Sequence, residues 1–176
     1  YFKDIKDDPE TFAQCISTII RHVEDIGHMV NEFSSFARMP EPKFKVEDIN
    51  AHLEEALTLY RQAHARTEFL LSGFEDKTYH SKIDQQLIRQ AVNNLLQNAL
   101  DSVTALNSKG EEIKKPKISI VLGAHNDDEL FIAISDNGLG FPKDKDVESL
   151  LEPYVTHKEK GTGLGLAIVK KIMDDH

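Results

Sequence analysis

The chain has 176 residues, 40% hydrophobic and 29% charged, enough for one domain or a domain with an appendage, since one core takes about 100–200 residues. Its 21 Lys and Arg stand against 30 Asp and Glu, a formal net charge of -9, which argues against a nucleic-acid backbone as the main partner. The lone Cys15 cannot form an internal disulfide, which suits a reducing compartment. No apolar run nears the roughly 18 residues that suggest a spanning helix, so this segment is expected outside the membrane even if its parent is anchored there.

Residues 8 to 38 predict a helix: Asp8 suits the N-cap, Pro9 the first helical position, and the prolines of "RMPEP" stop it. Phe12, Ile16, Ile19, Val23, Ile26, Val30, Phe33 and Ala37 alternate spacings of four and three, a heptad seam. One helix cannot bury such a seam, so a bundle with another helix or chain is favoured over packing on its own domain. After the short linker "PEPK", "KFKV" reads as a strand, and residues 48 to 64 as an amphipathic helix through Ile49, Leu53, Leu57 and Tyr60. "TEFLLS" and "TYHSKI" read as strands on either side of the turn signal "GFED", and Asp84 can cap a helix running to about Leu106.

A polar loop over 107 to 115 precedes two alternating strands, "PKISIVLGA" and "ELFIAIS", joined through "HNDD". Ile118, Ile120 and Leu122 share one face of the first, and Leu130, Ile132 and Ile134 one face of the second. Residues 137 to 162 read as a long mobile loop with a helical turn near "VESLL", after which "GLGLAIVKKIMDD" resumes helical spacing through Leu164, Ile168 and Ile172.

Three stretches carry chemistry. In "NNLLQNALDS", Asn94 and Asn98 lie one turn apart on one helix face, and an amide oxygen there could ligate Mg²⁺ without adding negative charge beside phosphates. In "SDNGLG", Asp136 at a strand end can accept from an exocyclic amine, while Gly138 and Gly140 let the backbone approach a flat ring. In "GTGLGLAIVKK", Gly161, Gly163 and Gly165 open a helix whose first N–H groups suit phosphate oxygens, with His157, Lys158 and Lys160 just before it. Each stretch alone has a plainer reading, respectively a surface amide pair, an Asp-Asn-Gly turn and a solvated lysine loop. The third fits neither GxGxxG nor the Walker spacing.

In order and spacing, "NNLLQNALDS", "DNGLG", "LLEPYVTHK" and "GTGLGLAIV" resemble the N, G1, F and G2 boxes of sensor histidine kinases. These share the Bergerat nucleotide-binding fold of the gyrase, Hsp90, histidine kinase and MutL ATPases. The first helix is similar to the second helix of the dimerisation and phosphoacceptor domain in NtrY-like nitrogen-regulation kinases. The resemblance implies an α+β protein: a Bergerat α/β sandwich, its mixed and mostly antiparallel sheet covered by helices on one face, preceded by a long bundle helix. Residues 1–40 would be that helix and 43–176 the catalytic ATP-binding domain, lacking its last strand.

Carried over by residue, the resemblance implies Asn98 on Mg²⁺, Asn94 beside the phosphates and Asp136 on the adenine amine. Gly138 and Gly140 would shape the base pocket, with Gly161, Thr162, Gly163, Leu164 and Gly165 along the phosphates. Residues 141 to 161 would form the ATP lid, with Lys158 on the γ-phosphate. Asp101 departs from the family, where a basic residue is common, and His157 stands where a second Thr is common.

Hydrolysing relatives carry a glutamate four residues before the metal Asn; here that position is Asn94, whose amide cannot act as a general base. The implied function is transfer of the ATP γ-phosphoryl to a histidine and relay to a response regulator receiver domain, in a homodimer joined by the bundle. The implied setting is the cytoplasmic side of an inner-membrane sensor. None of the eight histidines is followed by Glu or Asp as in an H box, so the phosphoacceptor helix is expected upstream and this fragment should not label itself. The rivals are a serine kinase or anti-sigma factor of the same fold, and a nucleotide-gated interaction module.

Overall fold

The computed structural model describes residues 9–73, 77–108, 115–126, 129–141, 146–156 and 161–176. Its elements run α1 (Pro9–Ala37), β1 (Lys45–Asp48), α2 (Ile49–Ala63), β2 (Glu68–Ser72), β3 (His80–Ile83), α3 (Gln85–Ser108), β4 (Lys117–Ala124), β5 (Leu130–Asp136), α4 (Val147–Leu150) and α5 (Gly165–Asp175). Asp8 lies outside the described residues.

Strand alternation decides where the core forms. Ile118, Ile120 and Leu122 of β4 are at most 1% exposed, and burying each contributes about 1.5–3 kcal/mol. Their strand is the centre of a three-stranded sheet in the order β2-β4-β5. β5 pairs antiparallel with β4, from Ile118 opposite Asp136 to Ala124 opposite Leu130. β2 runs parallel to β4, with Phe69 opposite Ile118, and a parallel pair needs a crossover; here the intervening chain carries α3. The inner face packs on Leu53 and Leu57 of α2, Leu96 and Leu100 of α3, and Ile168 and Ile172 of α5, with Leu164 just before α5. Leu70, Val121 and Phe131 point outward and are exposed. Helices thus cover one face of the sheet, as expected.

The expected strands are present, with some boundaries moved. The segments flanking "GFED" do not pair with each other: β3 pairs antiparallel with β1 in a separate two-stranded sheet. Gly73, at φ +86, passes so close to the Leu122 carbonyl that a Cβ would lie 1.9 Å from its oxygen, and the chain leaves the larger sheet there. The strand expected over "KFKV" begins two residues later, because the Lys43 N–H is taken by Asp84 Oδ2 at 2.8 Å and the ladder starts at Lys45 opposite Ile83.

Caps fix the helices that carry the site. Asp48 Oδ1 accepts from Ala51 N at 3.1 Å to start α2, and Asp84 Oδ1 accepts from Gln86 N and Leu87 N at 2.9 and 3.2 Å to start α3. The Lys43 N–H, with those of Leu87 and Gln86 and the nearby His176, holds the Asp84 carboxyl below the usual aspartate value. His176 ties the end of α5 to the start of α3: its Nε2 accepts from Asp84 N at 3.0 Å, and its Nδ1 lies 2.8 Å from Ile172 O.

The α1 seam is uncovered among the described residues, with Phe12, Ile16, Ile19, Val23, Ile26, Val30 and Phe33 between 41% and 64% exposed. Phe36 in its last turn and Met39 just beyond it do pack against the core.

Candidate functional site

Asn94 and Asn98 are half-buried on α3, one turn apart on the face opposite Gly165. Asn94 Nδ2 donates to Gly165 O at 3.3 Å, and a Cβ on Gly165 would stand 4.0 Å from Asn98 Nδ2. The α3 amides and the first turn of α5 are therefore brought together across 71 residues of sequence. Leu164, 1% exposed, is the anchor: it plugs the core and accepts from Ile168 N at 2.8 Å. Thr162 Oγ1 accepts from Leu164 N at 3.3 Å. Among the described residues no side chain caps α5, which leaves the N–H groups of its first turn suited to an anion.

Gly163 has two reasons to be glycine. Its φ is +71, and a Cβ would lie 2.6 Å from Tyr154 C and 2.7 Å from Val155 N. The same approach lets Tyr154 N donate to Gly163 O at 3.1 Å, with Tyr154 itself at φ 68, uncommon for a bulky residue. This clasp joins the middle of the "LLEPYVTHK" stretch to the glycine segment. Gly161 and Thr162 are half-buried beside it. His157, Lys158 and Lys160 lie outside the described residues, so the expected γ-phosphate contact does too.

At the other end of the asparagine face, Asp136 closes β5 and is exposed. Its Oδ1 accepts from Gly138 N at 2.8 Å, so its second oxygen can serve an outside donor. Gly138 is pressed onto α3: a Cβ there would lie 2.3 Å from Ser102 Oγ and 2.5 Å from Ser102 C. Gly140 is at φ +69 with open space around it, so conformation alone calls for glycine there. Sequence reasoning missed Asn137. Its side chain accepts from Lys117 N at 2.8 Å and donates to Lys115 O at 2.9 Å, clamping the turn to the start of β4, as an Asn in a turn commonly does.

Among the described residues no group of three His, Cys, Asp or Glu could hold a metal. A divalent cation at Asn98 would draw most of its ligands from phosphate and water, the habit of Mg²⁺. Asp101, where a basic residue is common in the resembled family, accepts from Gln97 Nε2 at 2.8 Å. Several described histidines take part in packing and capping: His52 sits 3.3 Å from Glu47 Oε2 and 3.2 Å from Gln85 Nε2, His64 stacks on Tyr60, and His176 binds Asp84 N.

The profile of a family described as histidine kinase-, DNA gyrase B- and HSP90-like ATPases matches residues 83–176. The nitrogen regulation protein NtrY of Azorhizobium caulinodans is 40% identical over 174 residues, 99% of this chain and 22% of its own length. A putative sensor histidine kinase NtrY-like of Rickettsia conorii is 35% identical over 94% of this chain and 26% of its own. The chain thus spans about a quarter of these relatives. Among solved structures, the histidine kinase ThkA in complex with response regulator protein TrrA superposes with a TM-score of 0.69, covering 96% of this chain and 46% of that one at 21% identity, a likeness of fold.

Proposed function

Because this chain belongs to the histidine kinase-, DNA gyrase B- and HSP90-like ATPase family, and within it to the NtrY-like sensor histidine kinases, we propose that it is the part of such a kinase that binds Mg·ATP and donates the γ-phosphoryl. The observation that carries this reading is the convergence on one face of α3: Gly165 beside Asn94 and Asn98, Gly138 one turn further on. The segments expected at phosphate and at base meet the same helix, in that order.

In this reading Asp136 accepts from the adenine amine, and Gly138 and Gly140 bound the base. The opening N–H groups of α5, with Gly161, Thr162, Gly163, Leu164 and Gly165 shaping the approach, face the phosphates. Asn98 would hold Mg²⁺ through its neutral amide oxygen, which fits a half-buried position without a carboxylate cluster. The cation would neutralise charge on the phosphates. Asn94 fixes the α5 entry and stands near the phosphates, and Lys158 would meet the γ-phosphate.

Asn94 has no proton-accepting capacity to activate water, so ATP held here would wait for another nucleophile. In the intact protein that nucleophile would be a histidine of the dimerisation domain. An imidazole nitrogen would bond to the γ-phosphorus as the bridging bond to ADP breaks. The remaining contribution would be positioning and charge neutralisation. The α1 seam supports pairing in a helical bundle, hence a homodimer, and residues 1–40 and 43–176 would divide bundle helix from catalytic domain. A response regulator receiver domain would take the phosphoryl onward, from a kinase whose parent chain is anchored in the inner membrane. No described helix is long and apolar enough to cross one.

The test uses labelled ATP and Mg²⁺ with this chain and a separately supplied hairpin bearing an H box. The expected result is nucleotide binding, no self-labelling, and acid-labile label on the hairpin. Acid-stable label would favour a serine kinase, and binding without any transfer a nucleotide-gated interaction module. Failure to bind ATP at millimolar nucleotide by folded protein would refute the reading.

A further inference from the structure

Ser102 continues the pattern set by Asn94 and Asn98, one further turn along the same face of α3. Its Oγ is enclosed and makes no hydrogen bond among the described residues. A helical serine commonly satisfies itself on the carbonyl four residues back, here that of Asn98, but this hydroxyl does not. It lies instead against Gly138, whose Cβ, were there one, would stand 2.3 Å from it. Leaving a hydroxyl dry and unpaired is unfavourable, so an enclosed one calls for a partner. Gly138 is also the residue whose N–H binds Asp136 Oδ1. One turn of chain therefore brings a carboxylate and an unmatched hydroxyl to the same glycine.

The chemistry of the two groups is complementary. An ionised carboxylate only accepts, whereas a hydroxyl can also donate. Adenine's edge presents an amine donor beside a ring-nitrogen acceptor, and guanine presents the reverse, a carbonyl beside a ring N–H. We propose that Ser102 is a second base-reading residue, its hydroxyl turning from its enclosed place against Gly138 to donate to the adenine ring nitrogen, directly or through one water shared with Asp136. The pair would then select adenine over guanine more sharply than Asp136 can alone. This rests on the reading above that the "SDNGLG" turn receives adenine.

The experiment is calorimetric titration of this chain with ADP and GDP, using wild type, Ser102→Ala, Asp136→Asn and the double variant, with thermal melts in the absence of nucleotide. Ser102→Ala is expected to weaken ADP three- to tenfold, leave GDP within twofold, and melt at or above the wild-type temperature, since an unmatched hydroxyl has been removed. In the Asp136→Asn background the same change should cost ADP less than twofold, because the two groups act as a unit. Ser102→Cys, which nearly keeps the volume and weakens the hydrogen bond, should fall on the same side as Ala. Equal ADP affinity of wild type and Ser102→Ala, or an undiminished effect in the Asp136→Asn background, would overturn the proposal while leaving the ATP-binding reading in place. Wild type that binds no ADP would overturn both.

Discussion

Gly163→Ala is the sharpest perturbation of the site that leaves its polar groups untouched. At φ +71 any side chain costs about 1–2 kcal/mol from contact between Cβ and the carbonyl oxygen. The new Cβ would also stand 2.6 Å from Tyr154 C and 2.7 Å from Val155 N, backbone atoms that no rotamer can move aside. The segment must therefore separate, giving up the Tyr154 N to Gly163 O bond of 3.1 Å, worth about 1 kcal/mol net. The total of about 2–3 kcal/mol lies well below a typical domain stability of about 5–15 kcal/mol, so the core should survive while the clasp opens. With a tenfold change per about 1.4 kcal/mol, intact clasps become roughly 30- to 150-fold rarer relative to open ones. Calorimetric titration with Mg·ATP is expected to show affinity reduced at least tenfold, with a melt within several degrees of wild type. Gly140→Ala is the control, since its φ is similar but nothing lies within 4 Å of the added carbon, and it should disturb binding less. Wild-type affinity in Gly163→Ala, or an effect no greater than that of Gly140→Ala, would refute the clasp argument.

Asn98→Ala should abolish most of the gain in ATP affinity that Mg²⁺ provides, leaving metal-free ADP binding and the far-ultraviolet spectrum unchanged; calorimetry with and without Mg²⁺ reads this. Asp136→Ala should weaken adenine nucleotides about tenfold and GTP little, since an exposed acceptor lost from a base contact removes about one charge-assisted hydrogen bond, and equal loss for both would contradict its role. Asp84, whose carboxyl titrates below its ordinary value of 3.8 in the folded chain, contributes stability that is present above that value and lost as pH falls through the lower folded one. Asp84→Asn, which keeps a capping side chain, should therefore flatten the acid limb of a stability-against-pH curve while losing stability at neutral pH. Val23→Glu, at a position 64% exposed, should leave the catalytic-domain melt within about 0.5 kcal/mol of wild type while weakening any self-association seen by sedimentation.

What the sequence revealed and what it hid divide along local and non-local physics. The start of α3 was legible because Asp84 caps its own neighbours, and the core face of β4 because period two places Ile118, Ile120 and Leu122 on one side. The partition of strands was not, since β3 chooses β1 rather than β2 through contacts far apart in sequence, and Gly73 gives no local sign of the Leu122 carbonyl it must pass. The positive φ of Tyr154 was equally hidden: no tyrosine announces it, and it arises only where Gly163 closes on the backbone. Of the site, the asparagine pair and the glycine segments were legible as separate motifs, but their meeting at Gly165 was not. Ser102 could have been found, because the spacing of four that joins Asn94 to Asn98 continues to it.

In the proposed reading, that spacing gives α3 a role beyond holding ligands. Eight residues of helix from Asn94 to Ser102 rise about 12 Å, a span on the scale of a nucleotide from its phosphates to its base. At one end the stripe meets Gly165 through the Asn94 amide at 3.3 Å, and at the other it meets Gly138. A single rigid helix thus sets the distance between the two halves of the site, and neither loop has to determine it. The loops would then be free to differ in length and composition without moving base and phosphates relative to each other. For the proposed transfer, which would rely on positioning rather than on a general base, a fixed spine beneath the nucleotide suits the chemistry.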